Sequence, residues 1–269
     1  MKLRIFIVIL LVIAAAFVGR RVAWSNHAIN ALGGGREDTR QNFKLEPGAQ
    51  VEVRGINGPV EITTAETDTA DVHIVRTAGS QDDLDNQRLV IEHTPTSLVI
   101  RSEGGHRSFW GWLRGHGSVR QQVTLVLPRK VELTTRGVNG SVTVGEVDGG
   151  VEVGGVNGRV EVAQSAGHSQ VNGVNGSVKV AVSQLGAQGV EVGGINGGVE
   201  VRLRDGLNAD VNIKGLNGSA TFNVPNVTSQ ERENRSNIRA RIGTGGAPIN
   251  LNGVNGSVRF ESAVSGGNQ

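Results

Sequence analysis

Val151-Glu-Val-Gly-Gly-Val-Asn-Gly-Arg-Val-Glu-Val162 decides the fold. Two apolar-polar-apolar triplets, Val151-Glu-Val153 and Val160-Glu-Val162, flank six residues that contain Gly155-Val-Asn-Gly158. Strict alternation of this kind describes a strand with one buried face. Asn and Gly tolerate positive φ, so Asn-Gly marks a sharp corner between two such strands. The valine before the asparagine is placed to point inward and seal that corner.

Working outward, Gly-(Val/Ile/Leu)-Asn-Gly occurs seven times, with asparagines at Asn57, Asn139, Asn157, Asn175, Asn196, Asn217 and Asn255. Gaps among Asn139 to Asn217 are 18, 18, 21 and 21 residues, and the triplets from Val142 to Val178 start nine residues apart. Two nine-residue units therefore make one repeat. Every Asn-Gly connector holds six residues, whereas the other connectors vary, up to 26 residues from Asn223 to Pro248. One edge of the structure is fixed and the other is free to grow loops. Ordering a residue costs about 1.5 kcal/mol, more than one repeat recovers from its few buried valines, so only a stacked array folds.

The pattern predicts an all-β protein, a single-chain parallel β-solenoid with the asparagines laddered along one edge. An antiparallel meander with two-residue hairpins is the alternative, but it sets Gly155 against Val160 and leaves the inward residue before Asn unexplained. Residues 46–135 contain one early repeat pair, Val51-Glu-Val53 to Val60-Glu-Ile62, and then longer ordinary strands. They are expected to form a β-rich N-terminal cap, followed by repeats over 136–262 and a disordered tail over 263–269. Residues 20–45 are polar and Gly-rich and read as a tether.

At the amino terminus, Lys2 and Arg4 precede an apolar run from Ile5 to Val18, with Arg20 and Arg21 beyond it. Fourteen apolar residues suit an export signal better than the roughly 20 that span a bilayer. Residues 1–19 are read as a signal peptide or membrane anchor forming an N-terminal hydrophobic helix. An exported, membrane-anchored, periplasmic or surface location follows. The chain has no cysteine, which excludes disulfides, thiolate metal sites, a cysteine nucleophile and a lipidated cysteine. Its charge is +2 with no basic stripe, which sets nucleic acid aside.

The array resembles a bacterial putative-adhesin family of β-strand-repeat proteins, a domain-of-unknown-function family. The resemblance lies in Gly55-Ile-Asn-Gly-Pro-Val60, Val123-Thr-Leu-Val-Leu-Pro128, Val131-Glu-Leu133 and Gly137-Val-Asn-Gly-Ser-Val-Thr-Val144 with the repeats after it, over residues 45–262. It implies an exported, non-enzymatic protein that acts by surface binding or as an envelope-stress component, and it supplies no catalytic motif.

Candidate chemistry is sparse. Glu52, Glu61, Glu152, Glu161, Glu191 and Glu200 sit at triplet centres, where paired carboxylates of a carbohydrate-active β-helix enzyme could lie. Thr143, Lys179, Asn212, Thr221 and Arg259 share that position, so a solvated face accounts for both sets. His27, His73, His93, His106, His116 and His168 show no metal-ligand spacing, and no cofactor is expected. Asn-Gly-Ser at Asn139, Asn175, Asn217 and Asn255 is a by-product of the repeat. Recognition is best placed at His106-Arg-Ser-Phe-Trp-Gly-Trp-Leu-Arg-Gly-His116, where Arg107, Phe109, Trp110, Trp112 and Arg114 are candidate contacts to a glycan or an envelope protein. The alternative is that this segment plugs the cap. Glu231, Arg232, Glu233, Arg235, Arg239 and Arg241, in the 26-residue connector, form a second candidate surface, otherwise a solvated insertion.

Overall fold

Each triplet is extended backbone in the computed structural model, which describes residues 34–104, 118–164 and 167–263. Gly34–Gln269 forms one compact unit. In the repeat section, strands pair in parallel with the next strand but one. β8 (Val131–Val138), β10 (Val151–Asn157), β12 (Ser169–Asn175) and β14 (Val190–Asn196) make one leaf. β9 (Val142–Val147), β11 (Val160–Gln164), β13 (Val178–Val182) and β15 (Val199–Arg204) make the other. Strand period and repeat length agree, so equivalent positions of the repeat align: Val151 with Ser169 and Val190, and Val160 with Val142 and Val178.

The core fills the space between the leaves. Val153, Val171, Val192, Val160, Val180 and Val201 are each 0% exposed. The residues that precede the corner asparagines, Ile56, Val138, Val156, Val174, Ile195, Leu216 and Val254, are buried as well. They close the corner side of the core, while outward triplet centres stay in contact with solvent.

The expected parallel β-solenoid with an N-terminal cap is corrected by the topology. All strands belong to one 20-stranded sheet that mixes parallel and antiparallel ladders and bends around a single core as a nearly closed barrel. Three features produce this. First, the front section is woven into the array. β2 (Ala49–Arg54) pairs in parallel with β8 and with β6 (Ser97–Gly104), and β3 (Val60–Ala65) pairs with β9 and with β7 (Arg120–Pro128).

Second, antiparallel strands extend both leaves at that end. β4 (Thr69–Ala78) pairs with β7 and with β1 (Gly35–Lys44), and β5 (Gln87–Thr94) pairs with β6. β1 falls in the stretch read as a tether. An edge strand exposed on one face needs no apolar alternation, so its polar composition hid it. Between β4 and β5 lies the one described helix, α1 (Gln81–Asn86), whose Leu84 is buried.

Third, stack order departs from chain order. β20 (Pro248–Ala263) spans both leaves. It lies between β14 and β16 (Ala209–Lys214) on one leaf, and between β15 and β17 (Asn217–Asn223) on the other. The 26-residue connector is no plain loop. It forms the hairpin β18 (Val227–Arg232) and β19 (Ile238–Ile242), and β19 pairs antiparallel with β16. Ile238, Ala240 and Ile242 are buried, so the hairpin extends the first leaf and covers part of the core's end. The guanidinium of Arg241 and the Gly246 N–H hold the Asp210 carboxyl below the usual carboxylate range. The expected N-terminal hydrophobic helix lies outside the described residues. Among those described, no helix is long and apolar enough to cross a membrane.

Two buried hydroxyls interrupt the apolar pattern of the core. Thr135 and Ser169 are fully buried, and their hydroxyls have no hydrogen-bond partner. Thr135 stands in line with Val53 and Val153. Thr135→Val keeps the shape and removes an unsatisfied hydroxyl, so it is expected to stabilise the fold by about 1–2 kcal/mol. A urea unfolding midpoint that falls instead would contradict this.

Candidate functional site

The corner edge is the most regular feature of the surface. Asn139 Nδ2 donates to Asn57 Oδ1 at 3.0 Å, Asn157 to Asn139 at 3.2 Å and Asn175 to Asn157 at 3.2 Å. Asn196 donates to Asn175 at 3.1 Å, Asn255 to Asn196 at 3.1 Å and Asn217 to Asn255 at 3.0 Å. All seven asparagines thus form one column in which every amide points the same way. Asn217 follows Asn255 because β20 is inserted before its coil. Each inner amide spends one N–H and one oxygen lone pair on the column and keeps a second of each.

The column terminates on residues the sequence did not single out. Asn57 Nδ2 donates to the Val119 carbonyl at 2.9 Å. The fully buried Gln121 accepts from the Asn57 N–H at 3.3 Å and donates to Ser102 Oγ at 3.1 Å. Nothing in Val119-Arg-Gln121 distinguishes it from other alternating strand residues. A second amide contact, Asn212 Nδ2 to Asn250 Oδ1 at 3.2 Å, was likewise not anticipated.

The column separates two outward faces. On the first leaf, Glu52, Thr134, Glu152, Gln170, Glu191, Asn250 and Asn212 align in register. On the second, the row runs Glu61, Thr143, Glu161, Lys179, Glu200, Arg259 and Thr221. The six candidate glutamates are therefore split between two faces. Within a row, neighbouring glutamates have another strand between them, so they are about 10 Å apart at Cα. Alternation of Glu161, Lys179, Glu200 and Arg259 places unlike charges side by side, which favours this register.

Each face carries a shallow groove. One, of about 410 Å³, is lined by Glu132, Glu152, Asp148, His168 and neighbouring glycines. Its carboxylates and its imidazole are already engaged. Glu132 accepts from the Gly150 N–H at 2.8 Å, Glu152 pairs with Arg136 at 2.5 Å, Asp148 pairs with Arg129 at 3.4 Å and His168 contacts the Gly189 carbonyl at 3.0 Å. The other, of about 340 Å³, runs over Ser177, Gly198 and Ser257 between Arg159, Lys179, Glu200 and Arg259. Neither groove gathers a base, a nucleophile and an orienting group.

Of the histidines, His73 contacts Asp38 at 2.9 Å and His93 contacts the Lys44 carbonyl at 2.9 Å. Among the described residues, no group of three or more His, Asp or Glu side chains could hold a metal ion. Of the hairpin charges, Arg239 pairs with Glu233 at 2.7 Å and Arg241 with Asp210 at 2.9 Å. Arg107, Phe109, Trp110, Trp112 and Arg114 lie outside the described residues, as do His27, His106 and His116.

No known family profile and no curated protein matches the chain. It is similar to several solved bacterial structures. A putative cell adhesion protein from Clostridium sporogenes ATCC 15579 aligns over 84% of this chain and 100% of its own, at 13% identity and a TM-score of 0.45. A putative adhesin from Bacteroides fragilis NCTC 9343 aligns over 83% and 97%, at 12% identity and a TM-score of 0.32. Another, from Parabacteroides merdae ATCC 43184, aligns over 83% and 96%, at 11% identity and a TM-score of 0.30. The chain thus has a distant, low-identity likeness to bacterial proteins of the putative-adhesin kind. Likenesses of this strength assign it no activity and no partner.

Proposed function

We propose that this chain is a non-enzymatic surface-binding or scaffold protein of the bacterial cell envelope, exported by its N-terminal segment. The observation that carries this reading is the split of its outward carboxylates between two solvated faces. Hydrolysis of a glycosidic bond needs two carboxylates on either side of one bond in one cleft. Repeated rows at strand spacing suit contact with an extended partner instead. The amide column adds a line of spare donors and acceptors beside the Ser177–Ser257 groove, which matches the hydroxyl chemistry of a polysaccharide.

Trp110 and Trp112, flanked by Arg107 and Arg114 with Phe109 between, add apolar surfaces suited to sugar rings. The test is retention of the intact chain on insoluble peptidoglycan and other envelope polysaccharides. Retention without release of new reducing ends is the expected result. Replacing both tryptophans by alanine is expected to weaken it about tenfold, or ~1.4 kcal/mol. Retention on no envelope polymer would overturn the binding reading. Retention unchanged by the double replacement would remove the aromatic segment from it.

A further inference from the structure

The 20-stranded sheet has four strands with a single partner among the described residues, and one differs from the rest. β1 carries Arg36, Glu37, Asp38, Arg40 and Lys44, β5 carries Arg88 and Glu92, and β18 carries Glu231 and Arg232. β17 is Asn217-Gly-Ser-Ala-Thr-Phe-Asn223, with no charge and no proline, and it pairs only with β20. Charges and prolines are the usual means by which an exposed edge is kept from pairing with another chain. Three edges have charge and the fourth does not.

Core coverage is also incomplete at this edge. Ala220 and Phe222 align with the buried Val258 and Phe260, yet both are only partly buried. Phe222 stacks on Phe260 with ring centroids 4.7 Å apart. The hairpin that covers the core's end extends the first leaf, through β16 and β19, and leaves β17 as the margin of the second. A strand added there would continue the ladder and cover the inward row.

We infer that this strand is supplied by a second copy of the chain, with β17 pairing antiparallel to β17 about a two-fold axis at Thr221. An uncharged edge meets its own copy without like-charge repulsion, whereas each of the other three edges would bring its charges against their counterparts. A two-fold axis at Thr221 sets Ala220 beside Phe222 of the second copy and Phe222 beside its Ala220. Small meets large and inward residues meet inward residues on both sides of the seam. The interface is isologous, so it closes at the dimer and does not propagate into fibres. The two cores become one across the joined edge.

The absence of cysteine gives a direct test on the intact chain. In this register, Thr221 faces itself across the axis at a Cα separation of about 4.5–5.5 Å, within the range that a disulfide bridges. Thr221→Cys is expected to cross-link to a dimer under mild oxidation much faster than Thr143→Cys, an exposed outward position in the same leaf. Ser219→Cys and Asn223→Cys are each expected to cross-link poorly alone and well when mixed. Thr221→Glu places a carboxylate beside Arg259 within one copy but two carboxylates together across the axis, so its dimer should dissociate about tenfold more readily. Sedimentation should show the unsubstituted chain as a dimer. A monomer at tens of micromolar, a Thr221→Cys rate equal to that of Thr143→Cys, or a Thr221→Glu dimer as tight as the parent would each overturn the proposal.

Discussion

Gly176→Ala is expected to destabilise the fold by on the order of 3–5 kcal/mol, while Gly173→Ala, three residues earlier in the same corner, costs only about 1–2 kcal/mol. The two glycines of each motif do different work. Gly173 has φ +65, and a Cβ there would meet nothing closer than the Gly155 nitrogen at 3.5 Å. Its substitution costs only the left-handed conformation. Gly176 has φ +153, and a Cβ there would stand 2.0 Å from the Gly158 carbonyl oxygen and 2.7 Å from its carbon. Both are backbone atoms of the preceding coil and cannot rotate away. The same contact repeats at Gly197 against Gly176 and at Gly256 against Gly197, so one methyl group wedges a continuous stack. Urea unfolding of both variants decides the matter. Equal midpoints would show that the corner coils are not held as close as the structure has them.

This difference explains why some of the fold was legible from the sequence and some was not. A corner that only Gly can occupy leaves its mark at every turn, which is why Gly-Val-Asn-Gly could be counted without coordinates. Stack order leaves no such mark. Asn217 and Asn255 sit in the same motif, and a 26-residue connector reads alike whether its returning strand adds to the end or slips in before the last coil. The expectation of chain-ordered stacking failed there. It failed also at the front, because alternation in β4 and β7 does not say whether neighbours run parallel or antiparallel, and a cap could not be told from a woven-in section. β1 escaped notice because its stabilisation comes from ten backbone pairs with β4, not from an apolar face. For the site, the triplet-centre position correctly grouped glutamates with Lys179 and Arg259 as outward residues. Gln121 stayed invisible because burial, not residue type, gives it its role.

The inserted strand carries the second large prediction. Ending the chain after Ala247 removes β20, which is flanked in both leaves: by β14 and β16 in one, by β15 and β17 in the other. Ile249, Leu251, Val254, Val258 and Phe260, all fully or almost fully buried, go with it. At about 2 kcal/mol each, their burial is worth on the order of 10 kcal/mol, comparable to the entire stability of an ordinary domain. Loss of cooperative unfolding is therefore expected, with β16 to β19 the first to lose amide-exchange protection because β20 is their link to the rest of the sheet. Phe260→Ala is the graded form, with an expected cost of about 3–5 kcal/mol, since its ring lies in register between Val201 and Phe222. Stack order itself is tested by double-mutant cycles on the amide column. Asn196 and Asn255 touch, so replacing both by alanine should show coupling. Asn196 and Asn217 are held apart by Asn255 and should add independently. Coupling between Asn196 and Asn217, or a truncated chain that keeps residues 209–242 protected, would mean that the coils stack in chain order after all.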